Sequence, residues 1–196
     1  MAKIITISGK SASGKNYIYD ALVRKYKDLI PVVTHTTRPK RQGEEEGREY
    51  HFVNSKTFIE KVGKGEIFEY REYDTAHGLW YYGTSKEQID MSSNNVYIAI
   101  VDIDGLREYI NQFGQNNIVS YYVKTHDDIR LIRMLQRETS IDETKKHEIL
   151  RRYKADTHDF KRAEDFCKHT VYNNDQQDFD TTLEFISYEI ERARGV

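Results

Sequence analysis

The chain has 196 residues, 38% hydrophobic and 32% charged, with a formal net charge of −2. That length fits one domain, with room for inserted subdomains, and can bury a real core. Nothing in the near-neutral balance argues for nucleic acid or an anionic membrane, neither of which is expected as a partner, and the one cysteine, Cys167, excludes an internal disulfide or a Cys-rich metal site. Cys167 reads as a buried or idle thiol. The apolar run in MAKIITISGK is too short for a signal peptide, and no stretch approaches transmembrane length, so the expected compartment is the cytoplasm.

KIITIS, residues 3–8, is a β-branched apolar run that stops at Gly9 and suits a central parallel strand buried on both faces. GKNYIYDALVRKY then offers Tyr17, Ile18, Ala21, Leu22 and Tyr26 near helical spacing. Between them, Gly9, Gly14 and Lys15 have the G-x-x-x-x-G-K spacing of a phosphate-binding loop, in the strand–turn–helix context that motif requires. Glycines let backbone wrap a phosphate chain, N–H groups at the helix N-terminus face the anion, and Lys15 adds a mobile positive charge. The next position normally carries a Ser or Thr hydroxyl for Mg²⁺; here it is Asn16.

Residues 36–85 break the strand–helix rhythm. A charged loop, TTRPKRQGEEEGREY, is followed by YHFV, a short helix SKTFIEKVGKG, and the strand candidates IFEYREY and LWYYGT, which together read as an inserted α+β subdomain. Arg38 and Arg41 stand three apart, with Glu44 and Tyr50 beyond; arginine forks suit phosphate oxygens and a tyrosine hydroxyl adds a donor. Glu69 lies mid-strand, where a buried carboxylate needs a partner. Trp80 and Tyr81 read as core packing.

The strand–helix alternation then resumes. NVYIAIVDIDG is a buried strand ending at Asp102 and Asp104; residues 118–123 form another, feeding a helix capped near Thr125 with Asp127 and Asp128 in its first turn. A long helix is expected over 142–165, then a short strand HTVY and an amphipathic helix FDTTLEFISYEIERA. Strands alternating with helices predict a parallel α/β sheet. Arg133, Arg137, Arg151 and Arg152 flank the polar ETSIDETKKHE, where two helices could close arginines on a polyphosphate and exclude water. Arg130 and Arg151 read equally as solvated helix faces.

In order, the glycine loop, T-T-R-x-x-R-x-G-E-x-x-G-x-x-Y, E-Y, Y-Y-G-T, D-I-D and R-x-x-x-R resemble the guanylate kinases, from Ile4 to about Asn173. The resemblance implies a P-loop NTPase-like three-layer core with a parallel sheet, an inserted monophosphate-binding subdomain and a helical lid. Core would be 1–34, 86–126 and 168–196, the GMP-binding subdomain 35–85, and the lid with its flanking helices 127–167. Arg38, Arg41, Tyr50 and Tyr82 would hold the GMP phosphate, with Glu44 beside them. Glu69 would accept from the guanine N1–H and 2-amino group, which adenine does not offer; Thr34, Thr84 and Asp104 match base-reading or supporting positions. Gly9, Lys10, Ser11, Ala12, Ser13, Gly14, Lys15 and Asn16, with Arg133, Arg137 and Asn173, would form the ATP site. Lys15, Arg41, Arg137 and Arg152 would be the catalytic cations. Mg²⁺ would be held by Asn16 and, through water, by Asp102.

The implied activity is ATP-dependent phosphorylation of GMP or dGMP, with small nucleotides as partners and a monomer or homodimer as the assembly. Alternatives are a related kinase acting on another nucleotide or a phosphorylated ribose, and a catalytically inactive protein-binding module. Where the family loop usually reads G-P-S-G-x-G-K-[ST], Lys10 replaces Pro, Ala12 replaces Gly and Asn16 replaces the hydroxyl residue. The link into Y-Y-G-T is longer than usual, and the stretch between Arg137 and Arg152 is longer or rearranged.

Overall fold

The structure is a computed structural model that describes residues 3–41, 43–75, 78–137 and 142–195. Five parallel strands form the central sheet: β1 (Lys3–Ser8), β2 (Leu29–Pro31), β7 (Val96–Ile100), β8 (Ile118–Lys124) and β9 (His169–Tyr172). Their spatial order is β2-β7-β1-β8-β9. Alternation along β1 divides the core into two layers. Ile5 and Ile7 face helices α1 (Lys15–Lys25) and α7 (Gln176–Arg194), packing on Ile18, Leu22, Ile186 and Ile190. Ile4 faces the opposite way, toward α3 (Ile103–Phe113), with Leu106 and Tyr109. Buried on both faces, β1 and β8 must be apolar nearly throughout, which is why periodicity read them as continuous runs.

Residues 35–85 build a second sheet, ordered β4-β3-β6-β5, from β3 (His35–Thr36), β4 (His51–Phe52), β5 (Ile67–Thr75) and β6 (Gly78–Ser85). Helix α2 (Ser55–Gly63), capped by Asn54 accepting from Thr57 N–H, covers one face through the buried Phe58. The long antiparallel β5–β6 pair carries a bulge between Ile67 and Glu69. The bulge turns Phe68 into the core, against Tyr109 and Phe113, and leaves Glu69, Arg71 and Tyr73 along one cavity face. Opposite it, Gly83 is required by close approach. A methyl group there would lie 2.8 Å from the Glu69 carbonyl oxygen and 2.9 Å from both Ile67 Cγ2 and Phe58 Cζ.

Three expected elements differ. Thr125 does not cap the helix after β8; α4 (Asp127–Gln136) starts from His126 with no side-chain cap, because the Thr125 hydroxyl is drawn instead to the carbonyls of Ser13 and Asn173. The helix expected over 142–165 is α5 (Glu143–Asp159), capped by Asp142, followed by a separate turn α6 (Ala163–Phe166). The break lets Phe160 stack on Tyr122 and brings Ala163 and Cys167 into the α3-side core. Tyr17, placed on the apolar face of α1, is 66% exposed.

Candidate active site

The glycine loop sits between β1 and α1. Gly14 is the N-cap of α1 in the left-handed region, at φ 85, and a methyl there would collide with the Asn173 side chain. No side chain caps this helix and no acidic residue occupies its first turn. Its N–H groups therefore face the loop with the positive end of the helix dipole, a site for an anion. Ala12 also has a positive φ, 61°, and is the one such non-glycine among the described residues. Its methyl is buried against Met134 and Ile149, which offsets the left-handed strain of about 1 kcal/mol.

Lys15 lies with its Nζ 3.4 Å from the Lys10 carbonyl. Burial lowers its pKa to about 8, opposed by Asp156 and reinforced by Arg137 and Arg130, so it remains mostly protonated at neutral pH. Asn16 is exposed. It lines a cleft of about 490 Å³ together with Gly14, Lys15, Arg137 and Arg152.

The loop is anchored from far along the chain. Asn173 Nδ2 donates to the Ser13 carbonyl at 2.8 Å, and Thr125 Oγ1 lies 3.0 Å from the same oxygen. Arg133 donates to the carbonyls of Asn173 and Asn174 at 2.9 and 3.1 Å. Asn173 and Arg133 thus brace the loop from behind. Lys10 pairs with Asp127 at 3.4 Å.

A second, open cavity of about 990 Å³ lies between the two sheets. Glu69 lines it and accepts from Thr84 Oγ1 at 2.6 Å. Burial raises the Glu69 pKa, while Thr84 and then Arg71 pull it back. Arg41, Tyr50, Tyr82 and Thr34 also line this cavity. Arg38 lies behind that wall, 4% exposed, donating to Glu44 at 2.6 Å and to the Pro39 carbonyl at 2.9 Å. The second Glu44 oxygen accepts from Arg41 N–H at 2.8 Å, so one carboxylate fixes both arginines. Tyr50 packs edge-on to Tyr82 with Arg38 over its ring.

Other residues fall elsewhere. Asp104 is exposed and lies 3.5 Å from Arg107, while Asp102 lines the cavity, capping α3 through Gly105 N–H and holding Arg71 at 3.2 Å. Arg137 and Arg152 are exposed at the cleft; Arg152 donates to Glu148 at 2.6 Å. Residues 138–141, in the polar stretch between them, lie outside the described residues. Ser11 and Arg152 line both cavities, which brings the loop and the Glu69 pocket to a common edge.

Two readings are corrected. Arg130 is no solvated helix face: it is completely buried, because Asp156, Asp127 and the Ser11 carbonyl satisfy its donors. Trp80 lines the cavity rather than the core, because it pairs with Tyr73 beyond the part of the hairpin that α2 covers. Sequence reasoning passed over Arg71 and Asp156. Arg71 had a signal, since it sits two residues from Glu69 on the same strand face; Asp156, on the fourth turn of a polar helix, had none.

Comparison with known proteins agrees with this layout. The family model described as Guanylate kinase matches residues 1–192. The guanylate kinase of Pseudoalteromonas translucida is 37% identical over 102 residues, covering 52% of this chain and 47% of that protein. The alignment thus spans about half the length of that relative. The guanylate kinase of Thiobacillus denitrificans is 30% identical over 180 residues, covering 91% of this chain and 80% of the relative. A crystal structure of guanylate kinase from Anaplasma phagocytophilum superposes with a TM-score of 0.69 at 18% identity, covering 98% of this chain and 86% of that one, which establishes the shared α/β fold. The chain belongs to the guanylate kinase family.

Proposed function

We propose that this protein transfers the γ-phosphoryl group of ATP to GMP or dGMP, giving GDP or dGDP. The observation that carries it is the Glu69–Thr84 pair, a half-buried carboxylate with one hydrogen bond, in a cavity that meets the glycine loop at Ser11 and Arg152. Guanine brings N1–H and a 2-amino group to that carboxylate; adenine would leave it with Thr84 as its one donor. We assign the monophosphate to residues 35–85, the triphosphate to the loop, and a closing role to 127–167.

In this reading Arg41, Tyr50 and Tyr82 hold the monophosphate, with Arg38 and Glu44 setting their positions. An oxygen of that phosphate attacks the γ-phosphorus; the bond to the β-bridging oxygen breaks and ADP leaves with its electron pair. No side-chain nucleophile is required, because orientation and charge neutralisation lower the barrier. Lys15 and the N-terminus of α1 face the donor phosphates. Arg137 and Arg152 close over the transferring group, Arg152 giving up an exposed pair with Glu148 that costs at most about 1 kcal/mol to break.

Mg²⁺ belongs to this proposal. Asn16 presents an exposed carboxamide at the loop, and such an oxygen fits an ion that keeps several waters and takes its other ligands from phosphate. Asp102 already serves Gly105 N–H and Arg71. Held by Asn16, Mg²⁺ would supply charge neutralisation to the donor phosphates. Initial rates with GMP, dGMP, AMP, CMP, UMP and ribose 5-phosphate, with and without Mg²⁺, test the assignment. GMP or dGMP should be fastest by on the order of 10²-fold; a faster sugar phosphate, or ATP binding without any turnover, would overturn it.

A further inference from the structure

Ser11 stands midway between the two loop glycines, and both of its backbone groups are held by side chains from the helices on either side of 137–142. Its N–H donates to Asp156 Oδ2 at 2.9 Å and its hydroxyl to Asp156 Oδ1 at 3.2 Å. Its carbonyl accepts from Arg130 Nε at 2.9 Å. Arg130 also donates to Asp156 and, at 2.6 Å, to Asp127. It packs over the Tyr153 ring, 5.4 Å from its centroid. Arg130 is 0% exposed and Asp156 8%. Burying such a pair brings little net stability, since desolvation offsets the Coulomb gain, and two apolar residues of similar volume would pack as well. Position is what the ions provide. A carboxylate with both oxygens engaged, and a guanidinium with every nitrogen engaged, define one geometry that an apolar contact leaves free.

The same helix brings Arg152 to the cleft. Arg152 and Asp156 are four residues apart on α5 and therefore share a face, one turn from each other. Fixing Asp156 on Ser11 fixes the rotation of α5 about its axis, and with it the direction in which Arg152 projects. Ala12 adds an independent attachment, its methyl held between Met134 of α4 and Ile149 of α5.

We propose that Asp156, oriented by Arg130, is a positioning residue for the triphosphate site, setting the glycine loop at Ser11 and the aim of Arg152 together. The inference rests on the reading that this loop takes ATP. Two variants test it. Asp156→Asn keeps the shape but replaces one acceptor oxygen with a donor, so it serves Ser11 N–H and Arg130 poorly. Arg130→Met/Asp156→Leu replaces the pair with apolar volume and keeps the variant folded if the single change does not. Calorimetric titration with a non-hydrolysable ATP analogue, and separately with GMP, is read beside kcat and the melting temperature.

Both variants should bind the analogue about tenfold more weakly and lose kcat by at least a similar factor, with GMP affinity falling by a clearly smaller factor, since Asp156 also lines the edge of that cavity. Asp156→Glu should recover part of the loss. A folded double variant with wild-type affinity and kcat would reduce the pair to a structural tie and overturn the proposal. Equal losses for analogue and GMP would overturn it too, by showing general damage. A wild-type protein that does not bind the analogue would instead overturn the proposed function, and this inference with it.

Discussion

The two halves of the site are built on opposite plans. The Glu69 pocket is assembled locally: Arg38 meets Glu44 across six residues, Glu69 meets Thr84 across 15, and one 4-stranded sheet with its β3–β4 loop carries them all. The glycine loop is held from a distance, by Asn173 across 160 residues from Ser13, Asp156 across 145 from Ser11 and Thr125 across 112 from Ser13. A local pocket can keep its motif intact within one stretch of chain. A loop braced remotely can change its own letters, as at Lys10, Ala12 and Asn16, while distant residues hold its shape.

The largest effect should come from breaking the local half. Glu69→Gln replaces one acceptor oxygen with a donor facing the guanine amino group, and should lower kcat/KM for GMP by on the order of 10³-fold and erase preference over AMP. An unchanged preference ratio in competition kinetics would remove Glu69 from base reading. On the remote half, Arg130→Met alone strands the buried Asp156 and should cost about 3 kcal/mol of stability by urea unfolding. A loss below about 1 kcal/mol would show that the brace is not a buried ionic one.

A third effect tests how closely the local sheet is packed. His35 is buried on β3 with its ring 4.8 Å from His51, and burial, then the His51 charge, holds its pKa down at about 4. The unfolded chain takes up this proton near pH 6.5, the folded one only near 4, so stability present above 6.5 is lost as pH falls toward 4. The loss should reach about 2 kcal/mol at pH 5 relative to pH 7, and be much reduced in His35→Asn. Urea midpoints that do not move between those values would contradict it. Smallest is Ala12→Gly: relief of the left-handed strain is offset by the lost methyl contact and the freer unfolded chain, leaving a change under about 1 kcal/mol.

The same contrast explains what could be read from the sequence. Strands β1, β7 and β8 are buried on both faces, so their apolar runs were plain, and β9 emerged with the bounds of HTVY. The motifs around Arg38, Glu69 and Tyr82 lie within one sheet and the loop joining its strands β3 and β4, and were legible as a group. Arg130 was not, because a helix of charged residues looks solvated until its partners are known, and those partners lie on other elements. Thr125 was read as a cap for the same reason; its hydroxyl serves a carbonyl 112 residues away. The break after Asp159 follows from packing Phe160 on Tyr122, which no local pattern announces.

Gly83 carries a further consequence. With the Glu69 carbonyl 2.8 Å and two side-chain carbons 2.9 Å from the place a first side-chain carbon would take, this position has no room for a side chain. If residues 78–85 were randomised and survivors sequenced, the exposed Leu79 should drift freely, while Gly78, at a φ of 99, should keep glycine for its backbone rather than for space. Position 83 should return glycine almost alone. The narrow spacing between two strands, rather than any contact with substrate, would then set which sequences this hairpin can explore.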